Sequence, residues 1–390
     1  MKNTFSEVDI SILRQRAYNL RWATLPQDVI PLTAADPDYK SPVEVADALR
    51  KYTAERYWSY GPPEGLPQFK ESLANFYGRN RNLTAKPEYI IATDSAAYGI
   101  YMTCKAFLQK GDEAIIFDPV DFLFQYSINE VGANAVRFSI PPGSNDISFD
   151  GLEQMITTRT KMICLCNPLN PTGKVFTAKE LTILGDIACK YDLMILSDEI
   201  WSDIVFSPFR FTSIASINEA IRERTIIVTG FSKSYGLAGL RIGAVTSFSE
   251  DKHTRLMYAS LHNSTIHGAN TAGQIAAAAA MDHCGDWLKN AVDHLQNMRD
   301  LCVHELNNMP GVSCIAPEGC YVAFANIKGT GMTSTEVAEL IRTKGKVAVV
   351  PGREEWFGPA AEGYIRLSFA TSEEILTEAM SRIRKTMNGI

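Results

Sequence analysis

The chain contains no long apolar run. The alanine-rich stretch 276–280 is short and is bounded by Gln274 and Asp282, so nothing predicts a membrane-spanning helix. There is no excess of positive charge: 38 Lys and Arg against 44 Asp and Glu give a formal net charge of -6, which argues against nucleic acid or anionic lipid as the main partner. Eight cysteines form no CxxC pair and six histidines form no HExxH. A zinc site is therefore not expected, and reduced, mostly buried thiols are. Residues 1–9 are polar and lack the apolar core of a signal peptide. These absences lead us to expect a soluble, cytoplasmic protein. Gly329-Thr-Gly331 lacks the third glycine of a phosphate loop and reads as an ordinary turn.

What is present is a regular alternation. With 390 residues the chain can build one large and one small unit with substantial cores. Short apolar runs at 89–92, 114–117, 135–140, 162–165, 193–196, 226–228 and 242–245 read as strands, and helical stretches such as 97–109 and 177–191 separate several of them. Strands alternating with helices imply parallel pairing and helices on both faces. Ahead of them lie an amphipathic arm over 10–25, a proline-punctuated extended stretch over 30–42, and helices over 43–52 and 66–81. From Trp287 onward a long amphipathic helix, strands and two further helices give an α+β pattern.

The chemistry is placed in the turn 229–243, TGFSKSYGLAGLRIG, which follows one apolar strand and leads into another. It contains Lys233. A lysine amine attacks carbonyls only when neutral, and desolvation or a neighbouring cation lowers its pKa. Ser232, Ser234, Gly236 and Gly239 offer hydroxyls and exposed N–H groups suited to a phosphate, and Arg241 a planar bidentate donor. Two more polar turns follow strands, CNPLNPTG at 166–173 and SDEIW at 197–201. In an open α/β sheet the ligand lies beyond the carboxyl ends of the strands, so the three turns can converge. An aspartate, an asparagine, a lysine and an arginine meeting there suit a phosphorylated pyridine aldehyde.

This set resembles the fold-type I pyridoxal-phosphate enzymes, the aspartate-aminotransferase-like superfamily of class I/II aminotransferases, over about residues 31–383. The resemblance implies an α/β fold with a mainly parallel seven-stranded sheet, helices on both faces and a smaller α+β domain. It implies a large cofactor-binding domain over 45–285, with the arm and small domain formed by 1–44 and 286–390. Lys233 would carry pyridoxal 5'-phosphate as a Schiff base and shuttle a proton, and Asp198 would pair with the pyridine nitrogen. Asn170 and Trp201 would lie at the phenolic oxygen, while Asn167 serves the turn. Ser95, Ala96 and Ala97, with Ser232 and Arg241, would hold the phosphate. Tyr60 would reach the phosphate of a neighbouring subunit, which requires a homodimer with shared active sites, and residues 260–274 would lie near its interface. Arg366, with Asn170 and the N–H of Ala35, would bind the substrate carboxylate.

Some positions depart from the family pattern. Alanines stand for glycine at 35 and 96, and Asp94 places a charge near the phosphate turn. Trp201 stands where tyrosine is usual; its indole N–H donates once but cannot accept or ionise. Asp121 stands where an aromatic ring stacks on the pyridine, leaving Phe122 or Phe124 to take that place.

The activity implied is transfer of an amino group between an L-amino acid and a 2-oxo acid. Residues 31–39, 197–203 and 358–371 are also similar to the cystathionine-lyase-like branch, which makes a β C–S lyase the second reading, whereas SKSYGLAGLRIG is closer to the aminotransferases. Another pyridoxal-phosphate reaction, by a cyclase or an oxidase, is a third. A cofactor-binding regulatory module would need a basic winged-helix segment in front, for which 1–30 is too short. No unpaired arginine announces a dicarboxylate substrate, and the tryptophan and tyrosine near the pocket point to a large or apolar side chain.

Overall fold

The computed structural model describes residues 5–142, 147–261, 265 and 267–389. Helix α1 (Ile10–Arg16) and strand β1 (Ile30–Pro31) precede helices α2 (Val43–Glu55) and α3 (Pro67–Arg81). The alternating region follows as β2 (Ile90–Thr93), α4 (Ala96–Phe107), β3 (Glu113–Asp118), α5 (Leu123–Glu130), β4 (Asn134–Ser139), β5 (Thr160–Cys166), α6 (Ala178–Lys190), β6 (Met194–Asp198), α7 (Glu219–Glu223), β7 (Thr225–Gly230) and β8 (Gly243–Thr246). Helices α8 (Glu250–Ala259), α9 (Thr271–His283) and α10 (Gly285–Asn307) lead to the remainder. This comprises β9 (Val322–Asn326), α11 (Ser334–Thr343), β10 (Val347–Ala348), β11 (Val350–Pro351), α12 (Glu354–Phe357), β12 (Tyr364–Ser368) and α13 (Glu373–Met387).

The seven strands β2 to β8 form one sheet in the order β2-β8-β7-β6-β5-β3-β4, and β8 alone runs antiparallel to its neighbours. These are the seven apolar runs expected from the sequence, shifted by at most a few residues. Helices on both faces bury strands such as β3 and β7 along their whole length, which is why they read as continuous apolar runs and not as alternations. The edge strand β4 exposes Asn134 and Ser139. Helix α6 starts from a capping box of Thr177 and Glu180 and turns Leu181, Leu184 and Ile187 to the core. All eight cysteines are free thiols, and all but Cys189 are buried. No helix among the described residues is long and apolar enough to cross a membrane.

Two smaller sheets join the ends of the chain. Strand β1 pairs in parallel with β10, and β12 lies between β11 and β9, antiparallel to both. The Ser368 N–H donates to the Leu32 carbonyl at 2.9 Å, so the stretch after β1 runs beside β12. Ala35 and Arg366 are brought together in this way. Gly331 closes a short turn in the left-handed conformation, the ordinary turn expected there. Of the segment expected near a subunit interface, residues 262–264 and 266 lie outside the described residues.

Helix α4 begins against the main sheet, and one glycine sets how closely. A Cβ at Gly243, the first residue of β8, would lie 2.7 Å from the Ser95 carbonyl carbon, 2.8 Å from the Ala96 nitrogen and 2.8 Å from the Thr229 oxygen. All three are backbone atoms and cannot rotate away. Gly243→Ala is therefore expected to cost about 1–3 kcal/mol of stability through overpacking and to displace the start of α4. Denaturant unfolding together with phosphate-ester affinity checks this; a stable variant of unchanged affinity would refute it.

Candidate active site

A cavity of about 690 Å³ opens at the carboxyl ends of β2, β3, β5, β6 and β7. Lys233 enters it from the turn after β7. Its Nζ donates to the Ala35 carbonyl at 2.6 Å and lies 5.2 Å from the ring centroid of Trp201. The Tyr321 hydroxyl donates to the same carbonyl at 3.0 Å. Burial holds the Lys233 amine below the usual lysine range; Asp36 opposes this, and the Arg366 guanidinium adds to it. The population is thereby shifted toward the neutral, nucleophilic amine.

Asp198 ends β6 and is paired through its backbone with Cys166 on β5 and Val228 on β7. Its Oδ1 accepts the Ile200 N–H at 3.1 Å. Burial, with Asp121 and Glu199 nearby, pushes the carboxyl up to about 7. Such a group calls for a cationic or proton-donating partner inside the cavity.

The residues next in sequence are locked beneath the cavity. The fully buried Glu199 accepts from Arg81 at 2.9 Å, from Ser213 at 2.6 Å and from Ser197 at 3.2 Å. Arg81 also reaches Asp203 at 3.4 Å, and Asp203 accepts from the Ser234 hydroxyl at 2.8 Å.

An anion cradle lies opposite. The Ser95 hydroxyl caps α4 by accepting the Tyr98 N–H at 3.1 Å. The N–H groups of Ala96 and Ala97, in the first turn, have no intrahelical acceptor by helix geometry and point out of the helix end. Ser232 and Arg241 line the same part of the cavity, Arg241 in a left-handed conformation with φ 48°. Asp94 is turned to the Asn270 N–H at 3.4 Å.

On the remaining wall, the Asn170 Nδ2 donates to Asp121 Oδ2 at 2.9 Å, and its Oδ1 accepts from Arg366 Nη1 at 3.2 Å. A carboxylate on one side and a guanidinium on the other leave only this orientation of the amide. Arg366 also donates to the Thr33 carbonyl at 3.3 Å, and its Nε is buried with no hydrogen-bond partner among the described residues, in a residue that is only 8% exposed.

Thus Ala35, Ser95, Ala96, Ala97, Phe122, Asn170, Asp198, Trp201, Ser232, Lys233, Arg241 and Arg366 all line one cavity. Tyr60 does not. Its ring is 89% exposed and packs edge-on to His267 at 5.9 Å. Of the two candidates for stacking, Phe124 is buried in the core and Phe122 lines the cavity. Asn167 serves its turn, accepting the Phe176 N–H at 3.1 Å and donating to the Thr212 carbonyl at 3.0 Å. Sequence reasoning missed Tyr321 and Asp36 and saw in Asp121 only a lost aromatic ring. For Asp121 the signal was present, because a carboxylate in a turn after a strand of such a sheet faces the ligand.

The family profile described as "Aminotransferase class I and II" matches residues 27–383. An aspartate aminotransferase of Pyrococcus abyssi is 33% identical over 371 residues, 93% of this chain and 92% of that protein. The crystal structure of an aromatic aminotransferase from Pyrococcus horikoshii superimposes with a TM-score of 0.87 at 29% identity, covering 98% of this chain and 99% of the other. A Corynebacterium diphtheriae protein assigned as a pyridoxal-phosphate-dependent β-cystathionase does so with a TM-score of 0.89 at 28% identity, covering 97% and 98%.

The raised carboxyl of Asp198 sets a pH dependence. Its ordinary value is 3.8 and its folded value about 7, so between these the folded protein holds a proton that the unfolded chain has released. Stability then falls as pH rises from about 4 through about 7. With the cavity empty, Asp198→Asn is expected to be more stable than the parent at pH 8 by roughly 2–4 kcal/mol, and the gap to narrow toward pH 5. Urea unfolding at both pH values tests this; a gap of the same size at both would refute it.

Proposed function

The chain belongs to the class I and II aminotransferases, and on that premise we propose that it moves an amino group between an L-amino acid and a 2-oxo acid, with pyridoxal 5'-phosphate held on Lys233. The observation that carries this reading is the meeting of a buried lysine whose amine is held below its usual range, a buried carboxylate that forms no ion pair among the described residues and a helix N-terminus in one cavity. That donor set fits the three ends of the cofactor: aldehyde, ring nitrogen and phosphate.

In this reading the N–H groups of Ala96 and Ala97, the hydroxyls of Ser95 and Ser232 and the Arg241 guanidinium hold the phosphate. Asp198 would keep a proton on the ring nitrogen, and Phe122, which lines the cavity, would be available to the ring. Trp201 and Asn170 would serve the phenolic oxygen, to which the indole could offer at most one hydrogen. When bound, the group supplies an electron sink for the charge left at Cα as its proton departs. Arg366 takes the substrate α-carboxylate, its unpartnered Nε giving one of two parallel bonds, while Asn170 and the backbone of Ala35 position it. The Lys233 Nζ, when not bonded to the cofactor, would serve as the base that takes up and returns the substrate's Cα proton.

The region 45–285 then carries the cofactor, and the arm 1–44 with 286–390 brings Ala35 and Arg366. Tyr60, exposed and outside its own cavity, completes the phosphate site of a second copy, which makes the working form a homodimer. The setting is cytoplasmic and the substrates are small molecules.

A second reading, β C–S lyase, is supported by Trp201 at the usual tyrosine position and by the likeness to the Corynebacterium diphtheriae protein. Adding single amino acids, cystathionine among them, to the loaded protein without a 2-oxo acid separates the two. Transamination predicts a lasting loss of the cofactor's visible absorption and one 2-oxo acid per site, and a loss of at least about a thousandfold in Lys233→Ala. Continuing release of pyruvate, ammonia and thiol would replace it with the lyase.

A further inference from the structure

Once these roles are filled, the cavity keeps negative charge to spare. Its cations are Lys233, Arg241 and Arg366. Arg241 meets the phosphate, Arg366 the α-carboxylate, and Lys233 must be neutral to accept a proton. Its carboxylates are Asp94, Asp121, Asp198 and Glu355. Asp198 answers the ring nitrogen, and Asp94 accepts a backbone N–H from Asn270.

Asp121 and Glu355 are left over. Asp121 accepts from the Asn170 amide at 2.9 Å and the Leu123 N–H at 3.2 Å, both neutral donors, while the charges of Arg366 and Lys233 act on it only at a distance and partly offset the burial that raises its carboxyl. Neither it nor Glu355 forms an ion pair among the described residues. Independently, the partnerless Nε of Arg366 marks this wall as built for a ligand carboxylate. A second carboxylate, on the side chain of a dicarboxylic amino acid, would find no further cation among the described residues lining the cavity and would face Asp121. A side-chain cation would find Asp121, then Glu355 on the exposed side, with Leu20, Trp356 and Phe357 to pack an aliphatic stem and a guanidinium or ammonium head.

We infer that the amino donor carries a cationic side chain, that Asp121 is the residue selecting it, and that dicarboxylic amino acids are poor substrates despite the similarity to an aspartate aminotransferase. This rests on the transamination reading and deepens it.

The test uses pairs that differ only in charge: arginine against citrulline, and lysine against norleucine, with aspartate and glutamate alongside. In single-turnover reactions of the loaded enzyme the cationic member of each pair is expected to have the higher kcat/KM, by about tenfold. Asp121→Asn should bring that ratio close to one, with most of the change in KM; Glu355→Gln should lower it less. Because the ratio is taken within one preparation, an overall loss of activity in a variant does not imitate the effect. Preference for aspartate or glutamate, or a ratio near one in the parent, overturns the inference. If no amino acid changes the visible absorption, the transamination reading fails instead. Calorimetric binding of arginine, citrulline and glutamate to the loaded protein then decides the inference by itself, arginine binding tightest if it holds and glutamate or citrulline equalling it if it does not.

Discussion

The guanidinium of Arg81 ties together two of the segments that line the cavity. It ends helix α3, is buried, and binds Glu199, the neighbour of Asp198, across 118 residues of sequence. It also reaches Asp203, which holds the hydroxyl of Ser234, the neighbour of Lys233. The Asp198 carboxylate and the Lys233 amine, which line one cavity, are thus referred to a common charge. A buried pair of this kind contributes little net stability, but losing one member leaves the other uncompensated, at a cost of about 3–5 kcal/mol. Tyr77 stacks on the guanidinium at 4.8 Å and packs it from the side of α3. The value of the network lies in position, since small errors in the placement of reacting groups are costly to rate.

Above that anchor, burial acts in opposite directions on different groups. Removing water disfavours whichever form is charged, so the same environment lowers Lys233 and raises Asp198 and Asp121. A base and an acid are thereby adjusted toward one another by the same low-dielectric surroundings, with the Arg366 charge adding to the effect on the lysine. The site depends on the sheet closing tightly beneath α4, which is where Gly243 matters.

Much of this was legible in the chain. Strands covered on both faces must be apolar throughout, which is why seven of them stood out, and the topology of such a sheet sends the turns after β2, β5, β6 and β7 to one place. Lys233, Asp198, Asn170 and Ser95 were picked out by their turns, and all four line the one cavity. Arg81 gave no sign, because its partners lie more than a hundred residues away and a charged residue at a helix end usually faces water. Tyr321 sits in a strand flank with no local pattern, and it meets Lys233 only through the carbonyl of Ala35. Strands of two residues, such as β1 and β10, are too short for any periodicity, although they place Ala35 and Arg366.

The tryptophan at position 201 has a consequence of another kind. Its indole is almost wholly buried, packs edge-on to Tyr321 at 4.7 Å and has the Lys233 amine over its face. A tyrosine there would emit weakly and could ionise. An indole absorbs and emits at longer wavelength than a phenol, and any chromophore joined to that lysine sits close to it. Of the five tryptophans in the chain, this is the one whose ring the Lys233 amine overlies, so occupancy of that lysine is expected to alter part of the chain's indole emission.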